Sequence, residues 1–235
     1  MQLSKTDQIH SELRQQIIRR EIPPGARLSE NILSHRWKVS RTPIREVLKR
    51  LESEDLVTSQ SHKGFVVNQI TFEDIEQLYP IRIALEGLAG RLAARRIAED
   101  SQKLKALERL CNDMERLCNK GDIEAYIKKN NEFHFTIWHS CGNRWLIKVL
   151  ENLSSQVNRF IVRALYVPRR IDKSVQEHKE IYKNLSRSNE KGVEKAIQNN
   201  HKRAFEDLKR EFVKSNLPTY SLPRIGAGRS GFQVI

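Results

Sequence analysis

Apolar residues recur every three or four positions through most of this chain, and the breaks in that rhythm divide it into helices. Ile9, Leu13 and Ile17 share one face of a first helix, with Thr6 or Asp7 as its expected N-cap. Ile22-Pro23-Pro24-Gly25 stops it, because two prolines and a glycine cannot continue a helix. A short second helix, capped by Ser29, is expected to turn Ile32, Leu33 and Trp37 inward. Only Lys38-Val39 separate it from Ser40, the expected cap of a third helix. There Ile44, Val47, Leu48 and Leu51 stand at i, i+3, i+4 and i+7, an apolar stripe. Pro43 falls in the first turn, where backbone N–H groups have no intrahelical partner to lose. Residues 56–60 and 65–68 then read as two short strands, with Gly64 giving freedom to the turn between them.

Beyond Thr71 the pattern is helix after helix, near 72–98, 101–119, 122–140, 143–166, 171–187 and 190–213. No strand-like alternation interrupts this half, so it predicts an all-α bundle of six or seven helices. Residues 215–235 hold two prolines and three glycines without periodicity and read as a mobile tail. The fold expected is therefore mainly α. It comprises an N-terminal helix-turn-helix with a β-hairpin over 1–68, a linker at 69–71 and a helical domain over 72–214.

Composition narrows the function. The chain has 235 residues, and 42 Lys/Arg against 29 Asp/Glu give a net charge of +13, which favours polyanionic partners. Residues 1–68 hold 12 Lys/Arg against 8 Asp/Glu, so only +4 of that charge lies there and +9 lies beyond. Binding of nucleic acid by the N-terminal part would thus depend on where its cations stand. No apolar run approaches membrane-spanning length, and no apolar segment of a secretory signal follows Met1. Cys111, Cys118 and Cys141 have neither metal spacing nor a disulfide framework, which fits a cytoplasmic protein with thiols in core or boundary positions.

The third helix carries the first candidate chemistry. Opposite its apolar stripe stand Arg41, Thr42, Arg45 and Lys49, with the three cations along one side and Ser40 at the N-terminus. Arg can bond a guanine edge bidentately in the major groove, while Ser and Thr suit phosphates. His62, Lys63 and Gly64 form the hairpin tip, placed to act as a wing. The segments Pro24-Gly25-Ala26-Arg27-Leu28-Ser29-Glu30 and Val39-Ser40-Arg41-Thr42-Pro43-Ile44-Arg45-Glu46-Val47-Leu48, followed by Leu51-Glu52 and Asp55-Leu56-Val57, resemble the winged-helix domain of GntR-family bacterial transcription regulators. That resemblance implies an operator-binding protein, with Arg41, Thr42, Arg45, His62, Lys63 and Gly64 as DNA contacts. A further family contact falls on Asn31, where Arg is usual.

The second half resembles the FadR-like, FCD-type effector domain of the same family through Tyr79-x-x-Arg82-x-x-x-Glu86-x-x-Ala89, Asn131-x-Phe133-His134, Cys141-Gly142-Asn143, Glu177-His178 and Asn200-His201. Many members of that branch hold a divalent metal through one Asp or Asn and three histidines. The resemblance carries that role to Asn130, His134, His178 and His201, for a zinc-, nickel- or manganese-like ion. Asn130 and His134 share a helical face at i and i+4, but an amide binds a dication less strongly than a carboxylate does. Arg82 looks like the residue that meets the effector's carboxylate, although an Arg82–Glu86 pair at i, i+4 is an equal reading. The implied protein is a regulator, repressor before activator, that works as a homodimer and answers to a small organic acid. Two other readings stay open: a metal-dependent hydrolase with a DNA-binding appendage, in which no general base is evident, and a general basic nucleic-acid binder.

Overall fold

The computed structural model describes residues 4–18, 21–60, 64–69, 71–165 and 170–215. His62 and Lys63 of the expected wing tip lie outside these residues, as does the expected tail apart from Ser215. The chain divides into two compact units, one built on Met1–Phe72 and the other on Glu73–Leu217.

The first unit contains α1 (Lys5–Ile18), β1 (Arg27–Leu28), α2 (Glu30–Trp37), α3 (Arg41–Ser53), β2 (Val57–Gln60) and β3 (Gly64–Val67). Its core is one cluster in which Ile9, Leu13 and Ile17 of α1 meet Ile44, Val47, Leu48 and Leu51 of α3, closed by Leu56, Phe65 and Val67. The stripe spacing on α1 and α3 thus becomes burial directly. Three local expectations differ. Ser4, one position before the helix, accepts from the Asp7 N–H at 3.1 Å and is the cap, in place of Thr6 or Asp7. Ile32 is 56% exposed, because in an eight-residue helix Leu33 and Trp37 at i and i+4 define the buried side and Ile32 points about 100° away from it. A third strand also exists: β1 pairs antiparallel with β3 (Arg27↔Val66, Leu28↔Phe65), giving the order β1-β3-β2. Two residues are too few for an alternation signal.

The turn between α2 and α3 is tight because Lys38 adopts a left-handed conformation (φ 51°, ψ 48°) and its N–H bonds back to the His35 carbonyl. Gly64 opens β3 at φ 74°, a region that favours glycine.

The second unit comprises α4 (Phe72–Ala98, whose first residue belongs to the first unit), α5 (Ser101–Lys120), α6 (Ile123–Ser140), α7 (Arg144–Leu165), α8 (Arg170–Ser186) and α9 (Glu190–Ser215). Asp100 caps α5 by accepting from the N–H groups of Gln102 and Lys103, and Gly121 ends it in the left-handed region. Asp122 caps α6 in turn. Helix α4 lies close against α9 because it carries glycines at the contact: a Cβ on Gly90 would sit 2.3 Å from Ile197 Cδ1, and one on Gly87 would sit 2.7 Å from Gln198 Cγ. That approach brings Glu86 of α4 against His201 of α9. Among the described residues no helix is long and apolar enough to cross a membrane.

Candidate functional site

On α3 the apolar stripe is fully buried, whereas Arg41, Thr42, Arg45 and Lys49 are exposed and Ser40 lies exposed at the N-cap. Ser40 makes no side-chain cap bond, so its hydroxyl is not used to close the helix end. Arg45 is held by a carboxylate: its Nε and Nη2 each donate to Glu30 of α2 at 2.9 Å. The Arg45 hydrogen bond, aided by the nearby Arg41 charge, keeps the Glu30 carboxyl below its ordinary value. Lys49 donates to Glu52 at 2.7 Å and lies 5.6 Å from the centre of the Phe65 ring on β3. Gly64, at the start of β3, is exposed. A rigid base thus presents cations on one side of an exposed helix, the arrangement a major groove accepts.

The second unit buries a polar cluster. Glu86, His134 and His201 each offer a ligand atom within 4.8 Å of the others, and all three are buried. His201 Nε2 donates to Glu86 Oε2 at 2.7 Å, the indole N–H of Trp138 donates to the same oxygen at 3.1 Å, and Arg82 Nε donates to Oε1 at 2.5 Å. Burial acts to raise the Glu86 carboxyl. The Arg82 guanidinium and the neighbouring imidazoles outweigh it and hold the group well below the usual carboxylate range. Burial also pushes His178 well below its ordinary value, and His201 down to about 4, so both imidazoles are neutral and keep lone pairs.

The ring nitrogens expose a conflict. His178 Nδ1 lies 2.6 Å from the Ser174 carbonyl, which only a proton on that nitrogen satisfies, so its Nε2 carries a lone pair. That Nε2 stands 3.2 Å from His134 Nε2. His134 Nδ1 meanwhile lies 3.2 Å from Glu86 Oε2, outside hydrogen-bond alignment. With its proton on Nδ1, His134 turns a lone pair on His178; with its proton on Nε2, it turns one on the Glu86 carboxylate. A second proton on His134 or a cation beside the two Nε2 atoms removes the conflict. The 3.2 Å separation is close to that of two nitrogens on one metal at about 2.0–2.1 Å each.

The fold therefore assembles the three predicted histidines His134, His178 and His201 from three helices. Asn130, one turn before His134, is buried, and its amide donates to Asn131 Oδ1 at 3.4 Å. The carboxylate beside the imidazoles is Glu86, which in the sequence stands out only as the i, i+4 partner of Arg82. Its signal was the pair of glycines that follow it. Arg82 makes that pair and is buried, yet its Nη1 has no hydrogen-bond partner among the described residues. Cys111 is buried and its thiol is pushed up to about 12, chiefly by desolvation, which makes it a packing residue rather than a nucleophile.

Comparison with known proteins agrees with both units. The family of gntR bacterial regulatory proteins matches residues 5–67, and the FCD domain matches residues 77–202. Over 191 residues the chain is 27% identical to the HTH-type transcriptional regulator YdhC of Bacillus subtilis, covering 81% of this chain and 84% of that one. It is 30% identical over 154 residues to the gluconate operon transcriptional repressor of Bacillus licheniformis, covering 66% and 62%. The solved structure of Escherichia coli McbR/YncC superposes with a TM-score of 0.76 at 24% identity, covering 90% of this chain and 100% of that one. The relatives are transcription regulators and not enzymes. A winged helix with cations on its exposed third helix, followed by a helical bundle that matches the FCD domain, makes this chain a transcriptional regulator of the GntR family, in the branch that carries an FCD domain.

Proposed function

We propose that the chain is a cytoplasmic, homodimeric repressor whose hold on its operator is set by a small organic acid bound beside a divalent metal in the helical unit. Ser40, Thr42 and Lys49 would meet phosphates, Arg41 and Arg45 the base edges, and Gly64 with His62 and Lys63 the flanking backbone. Dimerisation follows from recognition: one helix buries too little to select an operator from a genome, and paired half-sites supply the remainder. Repression is favoured because relatives are named repressors, among them the gluconate operon regulator.

The observation that carries the sensing half is the opposed pair of Nε2 atoms on His134 and His178, 3.2 Å apart in a buried setting. His134, His178 and His201 would hold the metal, with Glu86 as the carboxylate that orients His134 and His201. Asn130 remains a candidate ligand through its amide oxygen. A bound dication supplies a positive centre to which an acid's carboxylate can bind. Arg82, whose Nη1 has no partner among the described residues, would help to hold that carboxylate. An acid with greater affinity for one arrangement of the winged units then shifts the DNA-competent population.

Metal analysis of purified protein beside a His134→Ala/His178→Ala double variant tests the first half. The wild type should retain a divalent metal that the variant lacks, and equal content in the two ends the proposal. Gel shifts on enriched genomic fragments, with and without a chelator, test the second.

A further inference from the structure

Three helices of the second unit each send a polar stripe inward, and a fourth adds a histidine. Tyr79, Arg82 and Glu86 stand at i, i+3 and i+7 on α4; Tyr126, Asn130 and His134 at i, i+4 and i+8 on α6; Arg170, Ser174 and His178 at the same spacing on α8. His201 comes from α9, with Phe205 one turn further on, stacked on Tyr79 at 4.6 Å. All ten polar residues are at most 8% exposed. Glu86 and the three imidazoles form one layer. Tyr79, Tyr126 and Arg170 lie seven or eight residues away along their helices, roughly 10–12 Å at 1.5 Å per residue, and form a second layer. Arg82 and Ser174 stand between.

This part of the interior holds donors for which no acceptor stands among the described residues. Among the described residues the hydroxyl of Tyr79, Arg82 Nη1, and both Nε and Nη1 of Arg170 are buried without a hydrogen-bond partner, and the Tyr126 hydroxyl has only Ser174 near it. Arg170, 1% exposed, uses only Nη2, which donates to Glu177 Oε2 at 2.7 Å and to the Asn200 carbonyl at 3.3 Å; Asp207 Oδ2 stays 3.8 Å from its Nε. The charges of Arg82 and Arg170 both reach the Tyr79 phenol. Around this column the buried guanidinium groups of Arg82 and Arg170 meet the carboxylates of Glu86, Glu177 and Asp207, and Arg203 and Arg210, both mostly exposed, reach Glu177 and Asp207 from the surface. Buried donors are rarely left unmade, and a single carboxylate at the imidazole layer leaves the second layer unmatched.

We infer that Arg170, Tyr126 and Tyr79 form a second anion anchor, so that the effector is a short acid with two anionic groups, one for each layer. The inference rests on the effector reading above and sharpens it to a class: dicarboxylates, or carboxylic acids bearing a phosphate. Arg170 also pins α8 to α9, so its removal perturbs the fold as well as the anchor. Tyr126→Phe is the cleaner change, because the hydroxyl it deletes has only Ser174 near it among the described residues.

The test uses full-length protein, with and without EDTA. Succinate, glutarate and adipate, 3-phosphoglycerate, and butyrate and valerate as single-charge controls are compared by thermal shift and calorimetric titration. At least one dianion should raise the Tm and bind more tightly than its single-charge counterpart. Tyr126→Phe should change the ligand-free Tm little, while weakening the dianion about tenfold or more and sparing the monoacids. Arg170→Lys, which keeps the charge, should weaken the dianion by less than Arg170→Met does. Monoacids binding as well as dianions overturn the inference and leave the metal-and-acid reading standing, as does a dianion whose affinity Tyr126→Phe does not alter. Binding that depends on Tyr126 and persists unchanged in EDTA upholds the anchor while removing the metal. No response to any dianion also overturns the inference.

Discussion

Replacing Glu86 with Gln tests the buried cluster directly. The change keeps shape and removes one charge from a carboxylate that receives Arg82 at 2.5 Å, His201 at 2.7 Å and Trp138 at 3.1 Å. Arg82, 4% exposed, then loses its counter-ion, and the new amide must turn its NH2 towards one of three donors. Removing one partner of a buried ion pair costs roughly 3–5 kcal/mol. In a unit the size of Glu73–Leu217, about 2–4 °C of Tm accompanies each kcal/mol, so the helical unit should melt about 6–20 °C lower. Calorimetry in EDTA measures this without any contribution from metal. The double variant Arg82→Met/Glu86→Gln should recover part of the loss, since no isolated charge remains buried. A single-variant loss under about 1 kcal/mol, or a double variant less stable than the single, refutes the claim that this carboxylate holds the cluster together.

Acid should act on the same cluster. His178 and His201 titrate below their unfolded value of about 6.5, so the unfolded state binds more protons and stability declines as pH falls below that point; Glu86 adds a further loss as pH falls through its depressed native value. In EDTA the Tm of the helical unit should be flat above pH 7 and fall steadily from about pH 6.5 towards 4, and a constant Tm over that range contradicts the cluster's ionisation. At the DNA interface, Arg45→Ala should cost roughly 1–3 kcal/mol on the matched operator and relax preference at one base, as read by gel shifts on matched and mutated sites. Leu48→Ala, at a fully buried position, should destabilise the winged unit by roughly 2–5 kcal/mol in urea titration, whereas Ile32→Ala, at a position 56% exposed, should change it by less than about 1 kcal/mol.

The sequence determined those features that a helix or turn decides within a few residues. The stripe of Ile44, Val47, Leu48 and Leu51 fixed which side of α3 is buried, and so which side shows Arg41, Arg45 and Lys49. Gly121 and the capping aspartates Asp100 and Asp122 fixed helix ends to within a residue or so. The motif around Ser40–Arg45 and the order of the histidines fixed the family. Local periodicity lost its hold where burial depends on a distant partner: Ile32 fits an apolar pattern but faces outward, and β1 exists only because β3 runs beside it. The tertiary structure alone set the contents of the buried site. Glu86 and His201 are 115 residues apart, and meet because glycines let α4 close on α9. Arg170 and Tyr126 carry no signal as single letters on separate helices. Their meaning comes from which donors share an interior and lack an acceptor there, a property of the assembled bundle that no spacing along one chain encodes.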